Sequence, residues 1–121
     1  MNSFYEIKNC RQRPDEPRRR WFSTAHQDLI VWFGDAERIV GFRYAYDVTD
    51  GAFAVTWTTE DGCRYDRLDN GNRPGRAMSP MLQPTRQTPA ADVLRDFRRS
   101  CERLEPRMAD FVARKLDFCM R

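Results

Sequence analysis

Arg18, Arg19, Arg20 and Trp21, within the stretch RRRWF, are the densest chemistry in the chain. Guanidinium groups make planar, forked hydrogen bonds that match carboxylate and phosphate, and they stack on aromatic rings. In extended backbone Arg18, Arg20 and Phe22 face one way, and Arg19 and Trp21 the other. The segment then has two readings. The arginine stems lie over rings and pin a strand edge, or the cluster, with Arg11 and Arg13 nearby in sequence, holds an anion. Glu6, Asp15, Glu16 and Asp28 offset part of this charge. No RNA-binding aromatic signature accompanies it, so nucleic acid is disfavoured as a partner.

A second set depends on strand register. Arg43, Thr56 or Thr58, and the Tyr65, Arg67, Asp69 side of residues 64–69 are expected on one sheet face. An arginine pair beside hydroxyls suits a small anion, and the plainer reading is a solvated face of cross-strand pairs.

Catalytic chemistry finds less support. His26 lies near Ser23 and Asp28 in sequence, but triads assemble in space from distant segments, so a capping or solvent-facing histidine is the simpler reading. Asp47, Asp50, Asp61, Asp66 and Asp69 flank turns, where aspartate bonds the local backbone. The loop NGNRPG lacks the lysine and helix of a phosphate cradle. Cys10, Cys63, Cys101 and Cys119 form no C-x-x-C pair, and with one histidine they make no zinc pattern. No catalytic residue, metal or cofactor is assigned. The thiols read as reduced and inert, Cys63 beside Arg64 excepted, where exposure and a lowered pKa are expected.

The elements that position these residues follow from the bulk of the chain. At 121 residues it fits a single domain with an ordinary core. The net charge of +3 is too small to mark a nucleic-acid binder, although all but Lys8 and Lys115 of the 21 basic residues are arginines. No basic start with an apolar run and no membrane-length apolar stretch occurs, which with the unpaired cysteines points to a cytoplasmic protein.

Extended segments are read at 3–10, 28–33, 39–47, 53–59, 64–69 and 77–84, with a short one at RRRWFST. GDAER (34–38), TDGA (49–52) and EDGC (60–63) make the turns between them, and NGNRPGR (70–76) is a loop. Residues 39–47 alternate, with Val40, Phe42, Tyr44 and Tyr46 opposite Ile39, Gly41, Arg43 and Ala45. After Gln87 the period becomes helical. Thr88-Pro89 reads as a cap, and Val93, Phe97, Cys101 and Leu104 line one face of a helix over about 89–104. Pro106 opens a second helix, to about 120, with Met108, Phe111, Val112, Leu116 and Cys119 inward. The expected fold is α+β: an antiparallel meander of about five or six strands with two C-terminal helices packed on one face.

The strand DLIVWF is apolar on both sides, with Ile30 and Trp32 opposite Leu29, Val31 and Phe33. Two helices cover one sheet face, so the other meets residues 11–27, a partner or second copy, or a ligand.

Together RRRWF, DLIVWF, GFRYAYD, TW, RLDNG and SPML resemble a family of small uncharacterised bacterial proteins that share this order of motifs across most of residues 5–115. The resemblance implies a stand-alone bacterial cytosolic domain and brings no activity or cofactor. The leading expectation is a non-enzymatic binding module, self-associating or engaging a protein partner through the second sheet face and the Arg18–Trp21 edge. The alternative is a small enzyme or binding domain for an anionic metabolite, centred on Arg43 and Arg67. No membrane association is expected.

Overall fold

The computed structural model describes residues 3–8, 10–48, 51–69, 81–85, 89 and 91–120. Alternating apolar residues with many β-branched and aromatic side chains build a single antiparallel sheet from β1 (Tyr5–Ile7), β2 (Arg18–Ser23), β3 (Gln27–Phe33), β4 (Ile39–Val48), β5 (Gly51–Thr58), β6 (Gly62–Asp69) and β7 (Met81–Pro84). Their spatial order is their chain order, an uninterrupted meander. The antiparallel meander is as expected, and among the described residues it runs to seven strands, the short segments at both ends pairing as well.

Two helices follow, α1 (Ala91–Ser100) and α2 (Pro106–Cys119), joined by a single turn over Cys101–Arg103. Proline opens α2 as expected, since the amide it lacks has no partner inside a first helical turn. The Thr88 cap and the 70–76 loop lie outside the described residues.

Both helices lie on the same side of the sheet. Val93, Phe97, Leu104, Met108, Val112 and Leu116 meet Leu29, Val31, Phe42, Tyr44, Val55 and Trp57 in one buried cluster. The N-terminus joins it through Phe4, whose ring lies 5.8 Å from that of Phe97 and whose amide donates to the Ser100 carbonyl at 2.9 Å. No helix among the described residues is long and apolar enough to cross a membrane.

Two local features shift the sequence reading. A bulge between Trp32 and Phe33 pairs Phe33 with Ile39, so Ile39 packs with the core instead of beside Gly41 and Arg43. The GDAER turn carries Ala36 and Glu37 at φ of 55° and 60°, a left-handed conformation costing about 1–2 kcal/mol per non-glycine residue. An ion pair from Arg18 to Glu37 holds that turn against β2.

Gly41 is required where it stands. A Cβ there would lie 2.9 Å from the Trp57 carbonyl oxygen and 3.4 Å from the Trp32 ring, which fills the space a side chain would take. Gly41→Ala is expected to lower stability by about 1–3 kcal/mol through overpacking. Urea denaturation reads this directly, and an unchanged midpoint would mean that Trp32 does not lie across Gly41.

The cysteines depart from expectation. Cys63 on β6 and Cys119 at the end of α2 form a disulfide with Cα atoms 5.7 Å apart. Cys63 faces the helix side opposite Trp57, where the last turn of α2 arrives. It is therefore no reactive thiol, and the reading of four reduced cysteines is corrected. Cys10 and Cys101 stay free. Burial pushes the Cys101 thiol up to about 12, which keeps it protonated and inert.

Candidate functional site

The register divides the arginine-rich segment as its alternation requires. Arg18 and Arg20 lie on the helix side, opposite Phe33 and Val31, and both are engaged within the protein. The Arg18 guanidinium sits 4.9 Å from the Phe33 ring centre. Arg20 grips Glu6 with two hydrogen bonds of 2.9 and 2.8 Å and lies 5.1 Å from the Phe22 ring. The bond from Arg20 holds the Glu6 carboxyl below its ordinary range, and Glu6 raises Arg20 in turn. These two arginines fasten β2 to β1 and to the GDAER turn between β3 and β4.

Arg19 and Trp21 point to the face away from the helices. The Arg19 amide donates to Gln12 Oε1 at 2.9 Å, while Gln12 Nε2 donates to the Arg19 carbonyl at 2.8 Å. A side-chain amide thus continues the ladder where β1 has ended, which blunts an exposed strand edge. Trp21 donates its indole N–H to Asp28 at 3.0 Å and remains 37 % exposed.

On the same face Ile30 pairs with Arg43, and Trp32 with Gly41. Ile30, Trp32 and Arg43 are all half-buried. The 10–17 segment gives limited cover, since only Cys10 and Glu16 within it are half-buried and its other residues are exposed.

Arg43 is the centre of this surface. Its guanidinium lies 5.9 Å from the Trp32 ring centre, and its Nε is buried without a hydrogen-bond partner among the described residues. Burial pulls its pKa below the ordinary arginine value; the Asp66 charge opposes that shift, and Arg64 reinforces it. Asp66 is fully buried, with both carboxylate oxygens receiving Arg64 Nε at 3.2 and 3.1 Å.

Arg67 does not belong to this group. Thr58 pairs with Gly62 across the second Asp-Gly turn, which sets Arg64 opposite Thr56 and Arg67 opposite Phe53. Arg43 pairs with Thr56 and therefore shares its face with Arg64 and Asp66, while Tyr65 and Arg67 lie on the helix side. The expected pairing of Arg43 with Arg67 is corrected. Arg64 and Asp66 are the residues that sequence reasoning missed, by one position of register.

His26 is exposed, and its Nδ1 lies 3.8 Å from Asp47 Oδ2. No group of three or more potential ligands able to hold a metal ion occurs among the described residues. Compared with protein-family models, curated proteins and solved structures, the chain matches none.

Proposed function

We propose that the protein is a non-enzymatic binding module that engages a protein partner through the sheet face opposite the helices. The buried, unpaired Nε of Arg43 carries this reading. An unsatisfied buried donor costs about 1–3 kcal/mol, and a partner that draws the half-buried Arg43 side chain outward onto a carboxylate removes that cost. Trp21, Ile30 and Trp32 around it supply apolar area, and tryptophan and arginine dominate the energetics of most interfaces. These side chains favour a protein surface over a free small anion, which would use Arg43 and leave the tryptophans uncovered.

Sedimentation velocity over a concentration series tests self-association, and capture from nuclease-treated lysate tests a different partner. Wild type is expected to dimerise or to retain a specific protein. Arg43→Gln and Trp32→Glu are each expected to weaken that association about tenfold or more, with unchanged circular dichroism. Association that survives both substitutions, or retention of nucleic acid alone, would sink the proposal. A thermal shift with phosphate or carboxylate compounds, abolished by Arg43→Gln and without protein association, would replace it with the small-anion reading.

A further inference from the structure

A cleft of about 470 Å³ opens on the helix side, between the Gln27 end of the sheet and α1. That volume is typical of small-ligand sites. Its floor is built from buried groups. Tyr44 donates to Gln27 Oε1 at 2.6 Å, Gln27 Nε2 donates to Ser100 Oγ at 2.7 Å, and Ser100 Oγ donates to the Asp96 carbonyl at 3.0 Å. The Tyr44 and Tyr46 rings stack at 5.4 Å. This chain fixes the rotamers of the floor and, among the described residues, leaves one Gln27 N–H and a lone pair on its Oε1 unused.

Tyr46 also lines the cleft and is 7 % exposed, and among the described residues its hydroxyl makes no hydrogen bond. A side chain buried to that degree, with an unpaired hydroxyl at a cleft it lines, points to an occupant that can pair with it.

The rim determines the sign of that occupant. Asp47, Asp92, Asp96 and Glu102 surround the opening, against Arg99 and a histidine already beside Asp47. A chain of net charge +3 thus gathers negative charge at this one mouth. The carboxylates act on the floor itself. After burial, the larger cause, Asp92 helps push Tyr46 up to about 12, and Asp96 helps raise Tyr44. Both hydroxyls therefore stay protonated and uncharged, and the Tyr46 oxygen keeps lone pairs that can accept from a cationic donor in the cleft.

We infer that this cleft binds a small organic cation: an amine whose ammonium group sits between Asp92 and Asp96 and donates to the hydroxyl oxygen of Tyr46. A bare metal ion is poorly served, because no ligand cluster of the required geometry occurs among the described residues. Anions are repelled by the rim, and a neutral isostere forfeits the charge-assisted bonds.

Calorimetric titration of the full chain with 1,4-diaminobutane, choline and arginine methyl ester tests this, with 1,4-butanediol as the neutral control. Saturable binding of at least one amine and none of butanediol is expected. The Asp92→Asn/Asp96→Asn double variant, altered only at exposed positions, is expected to bind that amine about tenfold more weakly or worse. Tyr46→Phe is expected to lose about threefold, and Arg43→Gln nothing. Three flat titrations, equal binding of butanediol, or affinity indifferent to the double substitution would each overturn the inference.

Discussion

A loss of about 4 kcal/mol is the expected result of opening the Cys63–Cys119 bridge, since it closes a segment with a sequence separation of 56. The unbridged chain gains conformational freedom mainly when unfolded, so the effect falls on the denatured state more than on any contact. The bridge also anchors the last turn of α2 to β6, where Tyr65 donates its hydroxyl hydrogen to the Cys119 carbonyl. Urea denaturation of the oxidised protein, the protein in excess dithiothreitol and the Cys63→Ala/Cys119→Ala variant would measure it. Both treatments should lower the midpoint by similar amounts. Coincident curves for oxidised and reduced protein would mean that the two cysteines do not pair. Cys101 does not complicate the experiment, because its protonated thiol is a poor attacking group at neutral pH.

Truncation of Phe97 is the second large effect. Phe97 is fully buried, and its ring meets Tyr44 edge-on at 5.1 Å and Phe4 at 5.8 Å. It joins α1, the sheet and the N-terminal segment at one point. Phe97→Ala is expected to destabilise by about 3–5 kcal/mol, from lost transfer energy and the cavity left behind. Phe97→Leu should cost clearly less, because most of the volume remains. The alanine variant should also free Phe4 and increase amide exchange at the start of the chain. A cost below about 1 kcal/mol, within the range of surface substitutions, would contradict the docking of α1 on Tyr44.

Much of this arrangement was legible in the residues, and the reasons are local. The alternation in FAVTWTT placed Phe53, Val55 and Trp57 on the core face, and all three are buried there. The Asp61–Gly62 turn was readable because Gly62 sits at φ +70°, a conformation that glycine adopts without strain. The helical faces followed from spacing, with Val93 and Phe97 on α1 and Met108, Val112, Leu116 and Cys119 on α2 buried. The first helix ends at Ser100, however, and Leu104 is buried from extended backbone beyond the single turn. A bulge leaves no such mark, so Ile39 was placed on the wrong side. The face of β6 was misjudged because hairpin register depends on how the turn is counted, and one residue reverses every side chain. The disulfide was illegible for a different reason: four cysteines allow six different single bridges, and spacing does not choose among them. The cleft was hidden by distance along the chain, since Gln27 and Ser100 are 73 residues apart. Tyr44 and Tyr46 read as core residues, which they are; their hydroxyls gain a second role only when α1 arrives.

The strand order carries a consequence for how the chain reaches this state. Each strand pairs with its neighbours in sequence, so the sheet can zip hairpin by hairpin with short loops to close and little entropy to overcome at each step. The long-range steps come last in sequence: α1 meets the N-terminus through Phe4 and Ser100, and α2 brings Cys119 to Cys63. Until the helices dock, Leu29, Val31, Phe42 and Val55 form an uncovered apolar face on a largely assembled sheet. On a ribosome this stage lasts until the two helices, residues 91–119, have also been made and have emerged (about 2–6 s at ordinary synthesis rates), and aggregation competes with folding throughout it.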